Sequence, residues 1–294
     1  MASISIERRA QMIVLGNEKG GSGKSTAAMH LIVGLLRDGY RVGAIDLDAR
    51  QATLSGYLAA REAFARARGI DLPLPRSVAV ERSPLDSRAA ADAGETTRFA
   101  AALTGLADCD IVVIDCPGSD TFLSRLGHGH ADTLVTPIND SFVDFAMLAM
   151  VDPDNHVVVH PSIYSEMVWE ARKRRFARDR GRIDWIVMRN RLGATEARNK
   201  HDVGATLEVL ARRIGFRTVK GFGERVIFRE LYLQGLTLMD VREAGLGIQM
   251  AMSHVAARME VRALIGAIRK PPPVPAAAEG LPAASVAGTG RAAL

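Results

Sequence analysis

Long apolar runs are missing from this chain. No stretch approaches the roughly 18 consecutive apolar residues that a membrane-spanning helix requires, and Met1 to Gln11 is too polar for a secretory signal. A cytoplasmic location is the expectation. Cysteine is scarce as well. Cys109 and Cys116 are the whole supply, too few for a disulfide framework and without the companions of a metal cage, so they read as core or near-site thiols beside a buried strand. Aromatic residues make up only 5% of the sequence, and their interleaving with basic residues is too sparse to point to base readout of a nucleic acid. Internal repeats are absent too.

What is present describes an ordinary globular protein, 48% hydrophobic and 24% charged over 294 residues, long enough to bury a sizeable core. The charge is unevenly placed. Between Glu166 and Leu231 stand 17 Lys/Arg against 9 Asp/Glu, a local +8 in a chain whose total is +5. Arg172 to Arg175, Arg178 and Arg180 fall on a helical pattern, and Arg198, Lys200, Arg212, Arg213, Arg217, Lys220, Arg225 and Arg229 follow. Solvated helix faces often carry such runs. The functional alternative is contact with the phosphate backbone of DNA without sequence preference.

Short apolar segments without internal alternation, Met12–Leu15, Val42–Ile45, Ile111–Ile114, Thr133–Thr136 and Trp185–Met188, predict strands covered on both faces. With helical spacing between them, as in Ala27 to Arg37, they predict a doubly wound, mainly parallel α/β sheet flanked by helices. Leu72 to Thr97 reads as a surface excursion before a helix around Phe99 to Leu106, and the last ordered element as a helix from Gly247 to Ile268. The expected organisation is one domain over residues 1–269, followed by a disordered Pro/Ala-rich tail over 270–294.

The chemistry concentrates directly after the first strand. Lys19-Gly20-Gly21-Ser22-Gly23-Lys24-Ser25-Thr26 is a phosphate-binding loop: backbone N–H groups wrap the phosphates, Lys24 reaches the β/γ oxygens and the Ser25 hydroxyl ligates magnesium. Glu18 replaces the usual first glycine, and Lys19 is an additional cation. Asp115 ends an apolar strand and opens Asp115-Cys116-Pro117-Gly118, a second acidic element suited to magnesium, with Gly118 able to approach the γ-phosphate. Asp46 and Asp48 end the neighbouring strand. Asp48 is the candidate for orienting the attacking water and reaching the metal, and Asp46 for a structural or outer-shell part. Asn190, also after a strand, is a candidate reader of the adenine edge. His128 and His130 lack a third ligand nearby and read as loop residues.

Together the loop, Asp46-Leu47-Asp48 and Asp115-Cys116-Pro117-Gly118 resemble the ParA/MinD class of deviant-loop ATPases. Thr136 to Phe145, Arg189-Asn190-Arg191-Leu192, Thr195 to Asn199 and Arg225 to Leu231 are similar to the MipZ-type division-plane regulators, a resemblance spanning about residues 11–269. It implies an ATP- and Mg2+-dependent homodimeric switch. In that resemblance Lys19 crosses to the partner's nucleotide, Lys24 and Ser25 hold phosphate and magnesium, and Asp48 serves hydrolysis. The ATP dimer binds chromosomal DNA nonspecifically and restrains polymerisation of the tubulin-like FtsZ, the monomer interacts with ParB, and hydrolysis resets the cycle. Localisation would be nucleoid-associated and graded from the cell poles. Arg198 and Arg225 match basic positions of the family's DNA face, with Lys200 and Arg217 in the same basic stretch, whereas Asp202 and Gly223 stand where relatives can carry arginine. Two alternatives share the loop: a ParA-type partition ATPase, and a MinD-like membrane regulator, which would want an amphipathic basic helix that Pro271 to Leu294 lacks.

Overall fold

The computed structural model describes residues 9–139, 142–151, 158–190, 207–241 and 251–269. Within them β1 (Gln11–Leu15), β2 (Val42–Asp46), β3 (Arg76–Ala79), β4 (Ile111–Asp115), β5 (Thr133–Asn139), β8 (Asp184–Asn190) and β9 (Arg217–Lys220) form one sheet in the order β3-β2-β4-β1-β5-β8-β9. Every pairing in it is parallel. A two-stranded antiparallel pair, β6 (Ala149–Val151) and β7 (Val158–Pro161), stands apart. The doubly wound parallel sheet read from the sequence is therefore what the chain forms.

Successive strand residues point to opposite faces, and both faces are apolar. Met12 and Val14 of β1 and Val112 and Ile114 of β4 join one core layer. Ile13, Leu15, Ile111 and Val113 join the other. The first layer is closed by α3 (Arg88–Gly105), α4 (Phe122–His130), α6 (Ile163–Asp179) and α7 (207–214); the second by α1 (Lys24–Arg37), α2 (Thr53–Arg68), α8 (Ile227–Leu233) and α9 (Met252–Arg269). The short α5 (Phe142–Phe145) follows β5.

The segment read as a surface excursion is more ordered than expected. It contains the edge strand β3, whose residues are largely exposed, and α3 begins at Arg88 rather than near Phe99. Only Glu95, Phe99 and Ala102 of that helix are buried, so its apolar signal is confined to the second half. A Ser87 hydroxyl accepting from the Ala90 N–H starts it. The final helix runs Met252–Arg269; residues 242–250 and the expected tail, 270–294, lie outside the described residues.

Strand order positions the site. β1 lies between β4 and β5, so connections leave it in both directions and open a crevice at the carboxyl ends of the strands. Register aligns that edge, since Asp115 pairs with Leu15 on one side and Asp46 on the other. The loop after β1 and both acidic strand ends thus share one level.

Candidate nucleotide site

Between β1 and α1 the chain makes its tight loop with Gly21 and Gly23 at positive φ, 72° and 92°, a region that side chains resist. Gly23 caps α1 without a side-chain bond, and the first turn of α1 carries no acid. Its free N–H groups and helix dipole therefore favour an anion. Gly118 is required for a different reason: a Cβ there would lie 3.1 Å from the backbone of Gly20. The loop after β4 is thus pressed onto the phosphate loop.

These segments enclose an open cleft of about 520 Å³, lined by Gly20, Gly21, Gly23, Lys24, Ser25, Thr26, Asp48, Cys116, Pro117 and Gly118. Arg50, Gln51, Thr53, Arg82, Ser119 and Thr121 complete it. Arg50 and Arg82 were not singled out from sequence. The first is two residues beyond Asp48, whereas Arg82 follows the edge strand β3.

Lys24 is buried and donates from Nζ to the Lys19 carbonyl at 3.0 Å. Burial lowers its pKa, while Asp115 pulls in the opposite direction. Asp115 is 2% exposed. Its carboxylate accepts from the Ser25 hydroxyl, yet burial, reinforced by Asp46 and Asp48, pushes it up to about 7. Four buried oxygens around this edge, Glu18 Oε1, Ser22 Oγ, Asp115 Oδ1 and Asn139 Oδ1, have no hydrogen-bond partner. Unpaired buried polar atoms are rare and expensive, and a hydroxyl beside a partnerless carboxylate oxygen is the hard-oxygen donor set a magnesium ion takes. Ser25 and Asp115 fit the metal, with Asp48 on the same cleft wall.

Asp46 has a structural task. It accepts from the Asp48 N–H at 2.9 Å and from the Ser55 N–H and hydroxyl at 2.9 and 2.7 Å, tying the strand end to the first turn of α2. Between them Ala52 adopts a left-handed φ of 48° and donates to the Asp48 carbonyl at 2.7 Å. Asp48 is held on a tight turn while its side chain stays half-buried at the cleft wall.

Lys19 does not enter this cradle. Its ammonium is paired with the carboxylate of Asp144 on α5, which is 1% exposed and also accepts from the Asn139 N–H at 2.8 Å. Asn17 braces the same turn, accepting from the Lys19 N–H at 2.7 Å and donating to the Pro137 carbonyl at 2.5 Å.

The sequence of residues 11–271 matches the family described as ATPase MipZ. The chain belongs to the MipZ family. It is an ATPase. Among proteins with curated descriptions none matches it. Among solved structures it is similar to the McdA(D38A)-ATP complex of Cyanothece, with 17% identity, TM-score 0.59, 88% of this chain and 96% of that one covered. A plasmid partition protein of Borrelia burgdorferi bound to AMPPNP gives 14% identity and TM-score 0.56, over 89% of this chain and all 100% of the other. The septum site-determining protein MinD of Pyrococcus horikoshii, complexed with Mg-ADP, gives 14% and 0.52, over 89% and 96%. At these identities the likeness is one of fold.

Other expected residues are placed differently. Asn190 is 6% exposed and its amide donates to the Ser22 carbonyl at 2.8 Å, and a Cβ on Gly23 would strike that amide. Its amide nitrogen thereby props the phosphate loop. His128 and His130 lie on α4 rather than in a loop. Buried His128 bonds the Ser124 carbonyl and the Tyr164 hydroxyl, and burial lowers it to about 4. His130 bonds the Leu126 carbonyl. Among the described residues no His/Cys/Asp/Glu cluster could hold a metal through such ligands. Both cysteines are buried and free.

Of the expected DNA contacts, Arg198 and Lys200 lie outside the described residues, as does Asp202. Arg217 is engaged by Asp184 at 2.6 Å and by the Ala267 carbonyl at 2.8 Å. Arg225 makes a two-pronged pair with Glu260 at 2.6 and 2.9 Å, and Glu260 also accepts from the Gly223 N–H. Both guanidiniums are tied to neighbouring elements, with part of their charge compensated.

Proposed function

We propose that this MipZ-family ATPase is an ATP-dependent dimerising switch that positions the division site by restraining FtsZ, binds DNA nonspecifically as the dimer, interacts with ParB, and is reset by hydrolysis. The observation that carries the reading is the separation of the two lysines: Lys24 fills the chain's own cradle, while Lys19 stands at the rim, held by Asp144. A second cation beside a site that already has one suits a second nucleotide, that of the partner protomer. ATP shifts such an equilibrium through its differential affinity for the dimer.

In this reading magnesium held by Ser25, Asp115 and Asp48 supplies charge neutralisation at the phosphate oxygens when bound. Asp48 positions the attacking water from its turn, Lys24 holds the phosphates, and the partner's lysine completes the charge stabilisation, so hydrolysis depends on dimerisation. DNA contact draws on the basic stretch that includes Arg198, Lys200, Arg217 and Arg225, and two such faces in one dimer raise affinity steeply while leaving it salt-sensitive. The described residues contain no helix long and apolar enough to cross a membrane. We place the protein in the cytoplasm on the nucleoid, graded from the poles, with residues 1–269 as one ATPase domain.

The test is FtsZ sedimentation together with DNA retention on one preparation, with ATP, ADP and no nucleotide. Inhibition of FtsZ assembly and DNA retention, both confined to ATP, are expected. DNA retention without any effect on FtsZ would replace this reading with a partition ATPase.

A further inference from the structure

Helix α6 turns Tyr164, Val168, Ala171 and Arg175 into the core and carries Trp169, Lys173 and Phe176 along one outer stripe, at spacings of four and three, with Arg180 at the left-handed cap just beyond the helix. Trp169 is 57% exposed and Phe176 49%. The stripe continues onto the next helix. Arg172 donates to the Gly215 carbonyl at 2.5 Å, joining α6 to the turn that ends α7. On α7, Glu208 accepts from the Thr218 hydroxyl of edge strand β9 at 2.6 Å. Helical geometry then sets Val209, 49% exposed, and Arg213 on the flank toward α6.

Cations frame this apolar strip. Arg180 lies over the Phe176 ring at 4.9 Å, and Arg180, Arg182 and Arg213 are exposed with no carboxylate partner among the described residues. Of the acids nearby, Glu170 is engaged by Lys173 at 2.5 Å, Asp179 by Arg175 at 2.8 Å and Asp184 by Arg217 at 2.6 Å, which leaves exposed Glu166, one turn before Trp169, as the acid set against these arginines. The surface therefore offers uncompensated positive charge beside exposed aromatic area.

We propose that the α6–α7 face docks an acidic amphipathic segment of a protein partner, with its apolar side chains over Trp169, Phe176 and Val209 and its carboxylates on Arg180, Arg182 and Arg213. A DNA backbone would use the arginines and leave the aromatic strip idle, whereas an amphipathic helix uses both. Aromatic anchors rimmed by arginine are also the composition of binding hot spots. Because α6 runs down to the start of β8, at the sheet edge opposite the phosphate loop, docking here leaves the nucleotide cleft free.

Fluorescence anisotropy of the full chain tests this with a labelled helix-forming peptide bearing Leu on one face and Glu on the other, a shuffled peptide of the same composition, and duplex DNA. The amphipathic peptide should bind at least about tenfold tighter than the shuffled one, about 1.4 kcal/mol. Trp169→Ser with Phe176→Ser, and separately Arg182→Glu with Arg213→Glu, should each abolish that preference while ATP hydrolysis persists. Wild-type emission gives a readout that needs no variant: Trp185 is buried, so docking should blue-shift Trp169. Equal binding of the two peptides or an unmoved emission would overturn the proposal. So would arginine variants that lose DNA while the aromatic variant changes nothing, an outcome that makes this a nucleic-acid face.

Discussion

Asp240 and Asp115 are both sealed from solvent, at 0% and 2% exposure, yet the protein treats them in opposite ways. Asp240 accepts from Arg61 at 2.8 and 2.9 Å, from Arg37 at 2.6 Å and from the Thr237 N–H and hydroxyl at 2.8 Å each. Burial alone would raise its pKa, but Arg61, with Arg37 and Thr237, overrides that and holds the carboxyl at about 2. Asp115 has one hydroxyl partner and a buried oxygen with none, and sits at about 7 because of its burial. A finished charge cluster stabilises the fold, clamping the 235–240 segment onto α1 and α2. An unfinished one holds donors and acceptors ready for a ligand, at a cost in stability.

That contrast can be broken at either cluster. The largest effect is expected at the cleft: Asp48→Ala should lower ATP hydrolysis by about 100-fold or more, the range for losing a positioned acid–base group. It should leave urea stability nearly unchanged and accumulate an ATP-bound dimer; a monomer by size-exclusion chromatography with ATP would count against the assigned part of Asp48. Next comes Asp240→Ala, which strands buried Arg61 and should remove about 3–5 kcal/mol of stability. Its pH dependence has a definite sign. The folded carboxyl lies below its ordinary value of 3.8, so its contribution is complete above 3.8 and lost as pH falls toward 2. Acid-unfolding curves of the wild type should show that loss, and those of the variant should lack it.

Asp144→Asn probes the rim. It releases Lys19 from its ion pair, and ATP-driven dimers should form at protein concentrations up to about tenfold lower, about 1.4 kcal/mol. An unchanged midpoint in analytical ultracentrifugation would show that the pair does not oppose dimerisation. Smallest is Arg225→Ala. Its part-buried pair with Glu260 is worth about 1 kcal/mol, so a larger drop in DNA retention with only that loss of stability would assign Arg225 to DNA as well as to packing.

The sequence made the cradle legible because its chemistry is local: glycines, lysine and serine in fixed order after a strand, with Asp46, Asp48 and Asp115 ending strands that are apolar throughout. The partners that complete the picture lie far away along the chain. Asp144 is 125 residues from Lys19 and Asp240 is 179 from Arg61, and no periodicity announces either contact. Arg61 shares α2 with the exposed charges of Glu62, Arg66 and Arg68, yet it is 0% exposed. The edge strand β3 escaped notice because its side chains are mostly solvated, so the alternation and apolar content that mark a strand are both missing. In the basic stretch the abundance of arginine is legible, whereas the pairing of Arg217 with Asp184 and of Arg225 with Glu260 is not.

The most direct test of the distinction between finished and unfinished charge is equilibrium urea denaturation at neutral pH without nucleotide, comparing Asp115→Asn and Asp240→Asn with the wild type. Neutralising Asp115 removes an undercompensated buried charge and should raise stability by about 1 kcal/mol, while neutralising Asp240 should lower it by about 3 kcal/mol. Loss of stability in both variants would contradict the account, making Asp115 a structural acid like its counterpart.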